Sequence, residues 1–255
     1  MSSTATSAIS ATAPKMDPLH HFQVAKHLDL SFMGLDISTS NSVYWMWIAI
    51  ALVMLFFHLA FKNPRTVPGR MQSLGEVGYL FIHGIVTDIV GEKGRPFFPY
   101  IFTLFFFILF CNLAGLIPGS FTVTSQLIVT ATFSLTIVGF TFGYGFYRHG
   151  SHYFKFFVPS GVPVPLMPLM IPIEIISFLA RPISLAVRLF ANMTAGHTML
   201  AVMFGYVITL PWWGAWVPFG FTVIFTGVEI FIGFIQAYIF TILTCVYIND
   251  AMHMH

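Results

Sequence analysis

Residues 43–61 run for 19 positions without one Asp, Glu, Lys or Arg, and stop at Lys62-Asn63-Pro64-Arg65. As a helix such a run is about 28 Å long, close to the ~30 Å hydrocarbon core of a bilayer. Residues 97–117 and 127–147 repeat the feature, closed by Pro118-Gly119 and by Arg148-His149. Only 8% of the 255 residues are charged and 57% are hydrophobic, whereas a soluble domain carries about 25% charged residues. There is too little charge to solvate a surface, which excludes a soluble enzyme, a nucleic-acid binder and a disordered regulator. The formal charge of +2 is too small to imply an acidic partner. Cys111 and Cys245 sit in apolar runs outside any CxxC pair. They read as small core residues, with no disulfide or metal framework.

The expected architecture is an all-α integral membrane protein. It has about five membrane helices and one amphipathic interfacial helix, with the last two spans long, strongly tilted and antiparallel. Residues 1–42 read as a mobile N-terminal tail followed by an amphipathic segment, and 43–255 as a single membrane domain. Within the tail, 1–15 is Ser, Thr, Ala and Pro with one Lys, a mobile or processed leader, and Met16 is an alternative start. Residues 74–89 carry Glu76, His83 and Asp88 among apolar residues, the pattern of a helix lying in the interface. The Phe-rich stretch 97–110 reads as lipid-facing and packing surface.

Lysine and arginine set the orientation. The segment 62–95 holds Lys62, Arg65, Arg70, Lys93 and Arg95, the segment 148–160 holds Arg148 and Lys155, and 118–126 holds none. The positive-inside rule places those two basic segments and the C-terminus inside, and the N-terminus outside.

Two apolar stretches remain, about 168–210 and 218–248. Counted over 172–210 the first has 39 residues, and the second has 31; as helices these are about 58 and 46 Å long. Both exceed the membrane core, so both must tilt far beyond the average of about 20°. Pro172 and Pro218 are expected at helix starts, where a missing N–H costs nothing. Pro182 is expected to kink the first stretch. Trp212, Trp213 and Trp216 mark an interfacial turn between them.

These two stretches hold Glu174, Arg181, Arg188, His197 and Glu229, with Asn192 and Gln236. Ionisable groups inside a membrane are costly and face a partner, a wet cavity or a functional path. At 100° per residue, Glu174, Arg181, Arg188 and Asn192 share one helix face, with the small residues Ser184, Ala191 and Ala195 beside them. His197 falls on the opposite face. Glu229 and Gln236 share a face of the last helix. Arginine cannot give up its proton, whereas His and Glu can be tuned to exchange one near neutrality. An unneutralisable cation between titratable groups near both surfaces blocks a straight proton path. The arrangement makes sense if the proton leaves this chain midway on a partner's carboxyl group and returns by a second path.

At these residues the chain resembles a known family. ARPISLAVRLFANMTAGHTML (180–200), LPWWGAW (210–216), VEIFIGFIQAYIFTILTCVYI (228–248) and NLAGLIPG (112–119) are similar to subunit a of the F-type ATP synthase. The resemblance implies that Arg188 is the arginine facing the rotating c ring and that Asn192 lies one turn on. It further implies that His197 and Glu229 form the titratable pair of the outer half-channel, that Gln236 faces the arginine, and that Glu174 lines the inner half-channel. Asp250 joins the inner path, and Asn112 is a polar residue of the second span. The order of His197 before Glu229 resembles alphaproteobacterial and mitochondrial members. Gly115 stands where some members carry an acid, so a route through that acid is absent here. The implied partners are the c ring, the b subunits of the peripheral stalk, the remaining synthase subunits and membrane lipid. No cofactor or metal is implied, and without a GxxxxGK[ST] motif ATP chemistry falls to other subunits. The implied location is a bacterial inner membrane, with the mitochondrial inner membrane as the alternative.

Two other classes of membrane protein predict different features. A haem-binding anchor of a respiratory complex would use two facing span histidines, but His58 and His197 are expected at different depths. His149, His152, His253 and His255 read as loop or tail residues. A secondary transporter predicts two related halves, and no internal repeat is evident.

Overall fold

The computed structural model describes residues 26–28, 31–32, 35–36, 39–117, 122–150, 153 and 166–252. The tail residues 1–25, Pro118 and Gly119, Lys155, and His152, His253 and His255 lie outside the described residues.

From residue 41 onward the described chain is built of helices. Ahead of them, β1 (Lys26–Leu28) pairs antiparallel with β4 (Thr39–Ser40), and β2 (Ser31–Phe32) with β3 (Leu35–Asp36). These strands are two or three residues long, and they fall in the segment expected only to be amphipathic. Six helices follow: α1 (Asn41–Phe61), α2 (Arg70–Ile89), α3 (Phe98–Gly115), α4 (Leu127–His149), α5 (Met167–Thr209) and α6 (Trp216–Met252). Five helical stretches, α1, α3 with the 3₁₀ turn Glu92–Phe97 that leads into it, α4, α5 and α6, are long and apolar enough to cross a membrane.

Helix α2 is not among those five. It starts four residues before the expected 74. Its buried residues Gln72, Gly75, Ile82 and Val86 recur at helical spacing, and that face lies on α1, α3 and α6. Gly78 is covered by the Phe106 ring, where an added Cβ would lie 2.7 Å from the ring edge. The chain leaves α2 through Gly91 at φ 77°, a left-handed conformation that costs glycine little.

The core lies around α6, which packs on α2, α3, α4 and α5. Ile101, Phe105 and Ile108 from α3, Leu185, Leu189 and Met193 from α5, and Ala237, Phe240 and Ile248 from α6 are buried together. Among the phenylalanines of 97–110, expected as lipid-facing and packing surface, Phe105 and Phe106 serve packing: both are buried, and Phe106 stands edge-on to Phe57 with ring centres 4.8 Å apart.

Two proline expectations need correction. Pro172 is inside α5, which begins at Met167 with Pro168 in its first turn. Helix α6 begins at Trp216, two residues ahead of Pro218. Pro182 is also interior, yet α5 runs on as one helix through it. A proline there cannot donate to the carbonyl four residues back, Phe178. That carbonyl accepts a hydrogen bond from the Tyr247 hydroxyl at 3.5 Å, and the two rings meet edge-on at 5.3 Å. A neighbouring helix thus supplies the donor that proline removes, the usual way an interior proline is tolerated in a membrane span.

Candidate functional site in the α5–α6 pair

Helices α5 and α6 have 43 and 37 residues, about 64 and 56 Å as continuous helices. The reversal between them is tight: Gly214 and Ala215 donate their backbone N–H groups to the Pro211 carbonyl at 2.8 and 3.1 Å. Trp212, Trp213 and Trp216 around it are exposed. Antiparallel packing then sets residues far apart in sequence side by side.

Arg188 is the middle residue of α5 and is exposed. Arg181, Ser184, Ala191 and Ala195 are exposed on the same face, and Asn192 beside them is half-buried. No carboxylate pairs with Arg188 among the described residues. The other face of α5 is packed through Phe178, Leu185, Leu189, Met193 and Gly196. The small residues leave the guanidinium on open, shallow helix surface that no other described residue covers.

On the packed side, His197 faces Glu229 across the helix pair, with Nε2 3.9 Å from Oε1. Glu229 is only 2% exposed, and neither of its oxygens nor His197 Nε2 has a hydrogen-bond partner. The carboxyl group fits there because residue 196 is glycine: a Cβ on Gly196 would collide with the Glu229 carboxyl group. Gly196 is therefore part of the site, although the sequence reading passed over it. Its only signal was its place beside His197 and Ala195.

Gln236 is buried on α6, two turns beyond Glu229, with its Oε1 unpartnered. It makes no hydrogen bond to Arg188. Between Glu229 and Gln236, the Gly233 carbonyl accepts a hydrogen bond from Asn112 Nδ2 at 3.0 Å. A Cβ on Gly233 would sit 3.2 Å from the Asn112 Cβ. Asn112 on α3 thus ties the back of α6 at the level of its two polar residues. This gives the asparagine of the second span a definite contact.

At the opposite ends of the pair, Glu174 is half-buried in the early part of α5 and Asp250 half-buried in the last turn of α6. Tyr153, just beyond α4, is buried, and its phenol is held protonated by burial and by the Asp250 charge. The site residues therefore form three groups along the pair. Arg188 with its small neighbours lies on the open face, the His197–Glu229–Gln236 row lies inside, and Glu174 and Asp250 mark the far ends. His58 is exposed near the end of α1. No group of three or more His, Cys, Asp or Glu residues among the described ones could hold a metal ion.

A multi-pass helical membrane protein with ionisable groups built into its two longest spans is the class that this fold and site define. Residues 43–249 match the family described as ATP synthase A chain. The chain is similar to an ATP synthase subunit a of Magnetococcus marinus, 56% identical over all of both chains. It is also similar to proteins of that name from Pelagibacter ubique, 47% identical over 94% of this chain and 98% of that one, and from Rhizobium leguminosarum, 46% identical over 93% and 97%. The chain belongs to the ATP synthase A chain family.

Proposed function

We propose that this chain is the stationary proton-conducting subunit of an F-type ATP synthase, working against a rotating ring of c subunits. One observation carries the reading. The guanidinium of Arg188 has no carboxylate partner among the described residues and lies on an open face of small residues, with half-buried His197 and buried Glu229 paired on the packed side behind it. A permanent cation near mid-span costs at least a few kcal/mol unless something compensates it. A carboxylate on a neighbouring subunit, passing over Ser184, Ala191 and Ala195, supplies that compensation.

In this mechanism a proton enters from the outer side, passes His197 and Glu229, and neutralises a ring carboxylate. A neutral acid faces lipid at far lower cost than a charged one, so the ring can turn. After almost a full turn the acid reaches the inner path near Glu174 and Asp250 and releases its proton. Arg188 favours the ionised carboxylate there and bars direct leakage, because it cannot itself deprotonate. Asn192 and Gln236 flank this exchange on the two helices. Each proton descending 100 mV supplies about 2.3 kcal/mol, so several are needed per ATP. ATP chemistry, on this reading, belongs to other subunits. The orientation is N-terminus outside and C-terminus inside, in a bacterial inner membrane beside the b subunits.

In membrane vesicles carrying the assembled complex, Arg188→Ala is expected to abolish ATP-driven proton pumping while ATP hydrolysis persists. Retained coupled pumping would remove the assignment. Cysteines at Ser184, Ala191 and Ala195 are expected to crosslink to the c subunit under oxidation, with those at Leu185 and Leu189 silent. The reverse pattern would put the ring on another face.

A further inference from the structure

Beyond the α5–α6 site, buried polar atoms without a hydrogen-bond partner occur at both ends of the helices, Tyr100 Oη and His149 Nε2 at one end and a second set toward the other. The second set includes Ser42 Oγ at the start of α1, Thr124 Oγ1 between α3 and α4, Ser134 Oγ in α4, and Asn112 Oδ1 near the end of α3. Thr124 belongs to a short 3₁₀ turn, Val123–Ser125, that is wholly buried together with Thr122. A connecting turn normally runs over the surface. This one is pressed in among α1, α3, α4 and α5.

Its depth has a cause at Gly115. The Thr122 side chain rests where a side chain on residue 115 would stand, so that an added Cβ would lie 2.9 Å from Thr122 Cγ2. The turn satisfies its own backbone, with Ser125 N–H donating to the Thr122 carbonyl and Gln126 N–H to the Val123 carbonyl, both at 3.2 Å. The Ser125 hydroxyl also donates to the Thr122 carbonyl, at 2.6 Å. The Thr124 hydroxyl is left over at 0% exposure. Three residues before Gly115, Asn112 reaches the Gly233 carbonyl, one turn from Glu229. A line of elements therefore runs from the turn to the buried carboxyl group. A hydroxyl both donates and accepts, and buried water is held by such otherwise unsatisfied groups.

We infer that the buried Thr122–Val123–Thr124–Ser125 turn is a water-holding wall of the outer entry, in which Thr124 positions water on its way to Glu229. The inference rests on the proton-path reading above and adds residues to it. Thr124 is a positioning residue, since its hydroxyl keeps its own proton.

The test uses the whole complex in membrane vesicles, with Ag⁺ as a small thiol probe. Thr124→Cys should be inactivated by Ag⁺ about tenfold faster than the parent, whose Cys111 and Cys245 are buried. Ile137→Cys, at a buried apolar position of α4, should match the parent. Thr124→Val should slow pumping several-fold and change its dependence on outer pH, and Thr124→Ser should restore both. Where Thr124→Val does not assemble, the Cys and Ser variants decide alone. Thr124→Cys no more reactive than Ile137→Cys, or an assembled Thr124→Val complex pumping at the parental rate, would overturn the inference. Pumping retained by Arg188→Ala would instead sink the reading beneath it, so the two failures are distinguishable.

Discussion

Helices α5 and α6 are nearly alike in length and apolarity, with mean hydropathy 1.7 and 2.0 over their most apolar eighteen residues, yet 22% of that stretch is buried in α5 and 44% in α6. Helix α6 is enclosed by four other helices. Helix α5 packs one face and leaves the other open along Arg181, Ser184, Arg188, Ala191 and Ala195. Hydrophobicity cannot tell the two apart, because a lipid-facing helix and a core helix are equally apolar. The placement of small and charged residues does. On α5 the small residues outside flank a cation, whereas one of the small residues inside, Gly196, makes room for an acid on α6.

This contrast can be broken at its tightest point. Gly196→Val should drive a side chain into the Glu229 carboxyl group and cost about 1–3 kcal/mol of packing, as overfilled cores do. The expected result is little or no assembled chain and no pumping; normal assembly with normal pumping would show that the Gly196–Glu229 contact does not matter. Glu229→Gln keeps the shape and removes the titratable group. It should assemble normally and lower the pumping rate by about a hundredfold or more, the range typical of a lost acid–base group being roughly 10²–10⁴. A parental rate would move the outer path elsewhere.

Tyr247→Phe leaves the Phe178 carbonyl without its tyrosine donor and should lower stability by about 0.5–1.5 kcal/mol, measured as a drop in the detergent-induced or thermal midpoint of the complex. An unchanged midpoint would mean that Pro182 is tolerated by other means. At the weak end, Gly227→Ala on the exposed side of α6 meets nothing within 4 Å. Its assembly and stability should match the parent, and a loss as large as that of Gly196→Val would erase the distinction between the two faces.

The spans, the single open face of α5 and the position of Arg188 on it were readable in the sequence, because each depends on periodicity within one segment. What was not readable depends on register between segments. Gly196 matters because of Glu229, 33 residues later on another helix. The Phe178 carbonyl, which Pro182 leaves without its helical donor, is met by Tyr247, 69 residues on. Asn112 reads as an isolated polar residue until Gly233 is set against it. The burial of the Val123–Ser125 turn follows from a missing side chain at 115, whose neighbour in space is seven residues on. Local pattern could not reveal any of these.

The Asn112–Gly233 hydrogen bond has a mechanical consequence. Apolar packing alone resists axial rotation of a helix less than a directional bond does, since one methyl group can slide past another. A side-chain amide locked to a backbone carbonyl at mid-span acts as a key in a shaft. It fixes the angular setting of α6, and with it the direction in which Glu229 and Gln236 look.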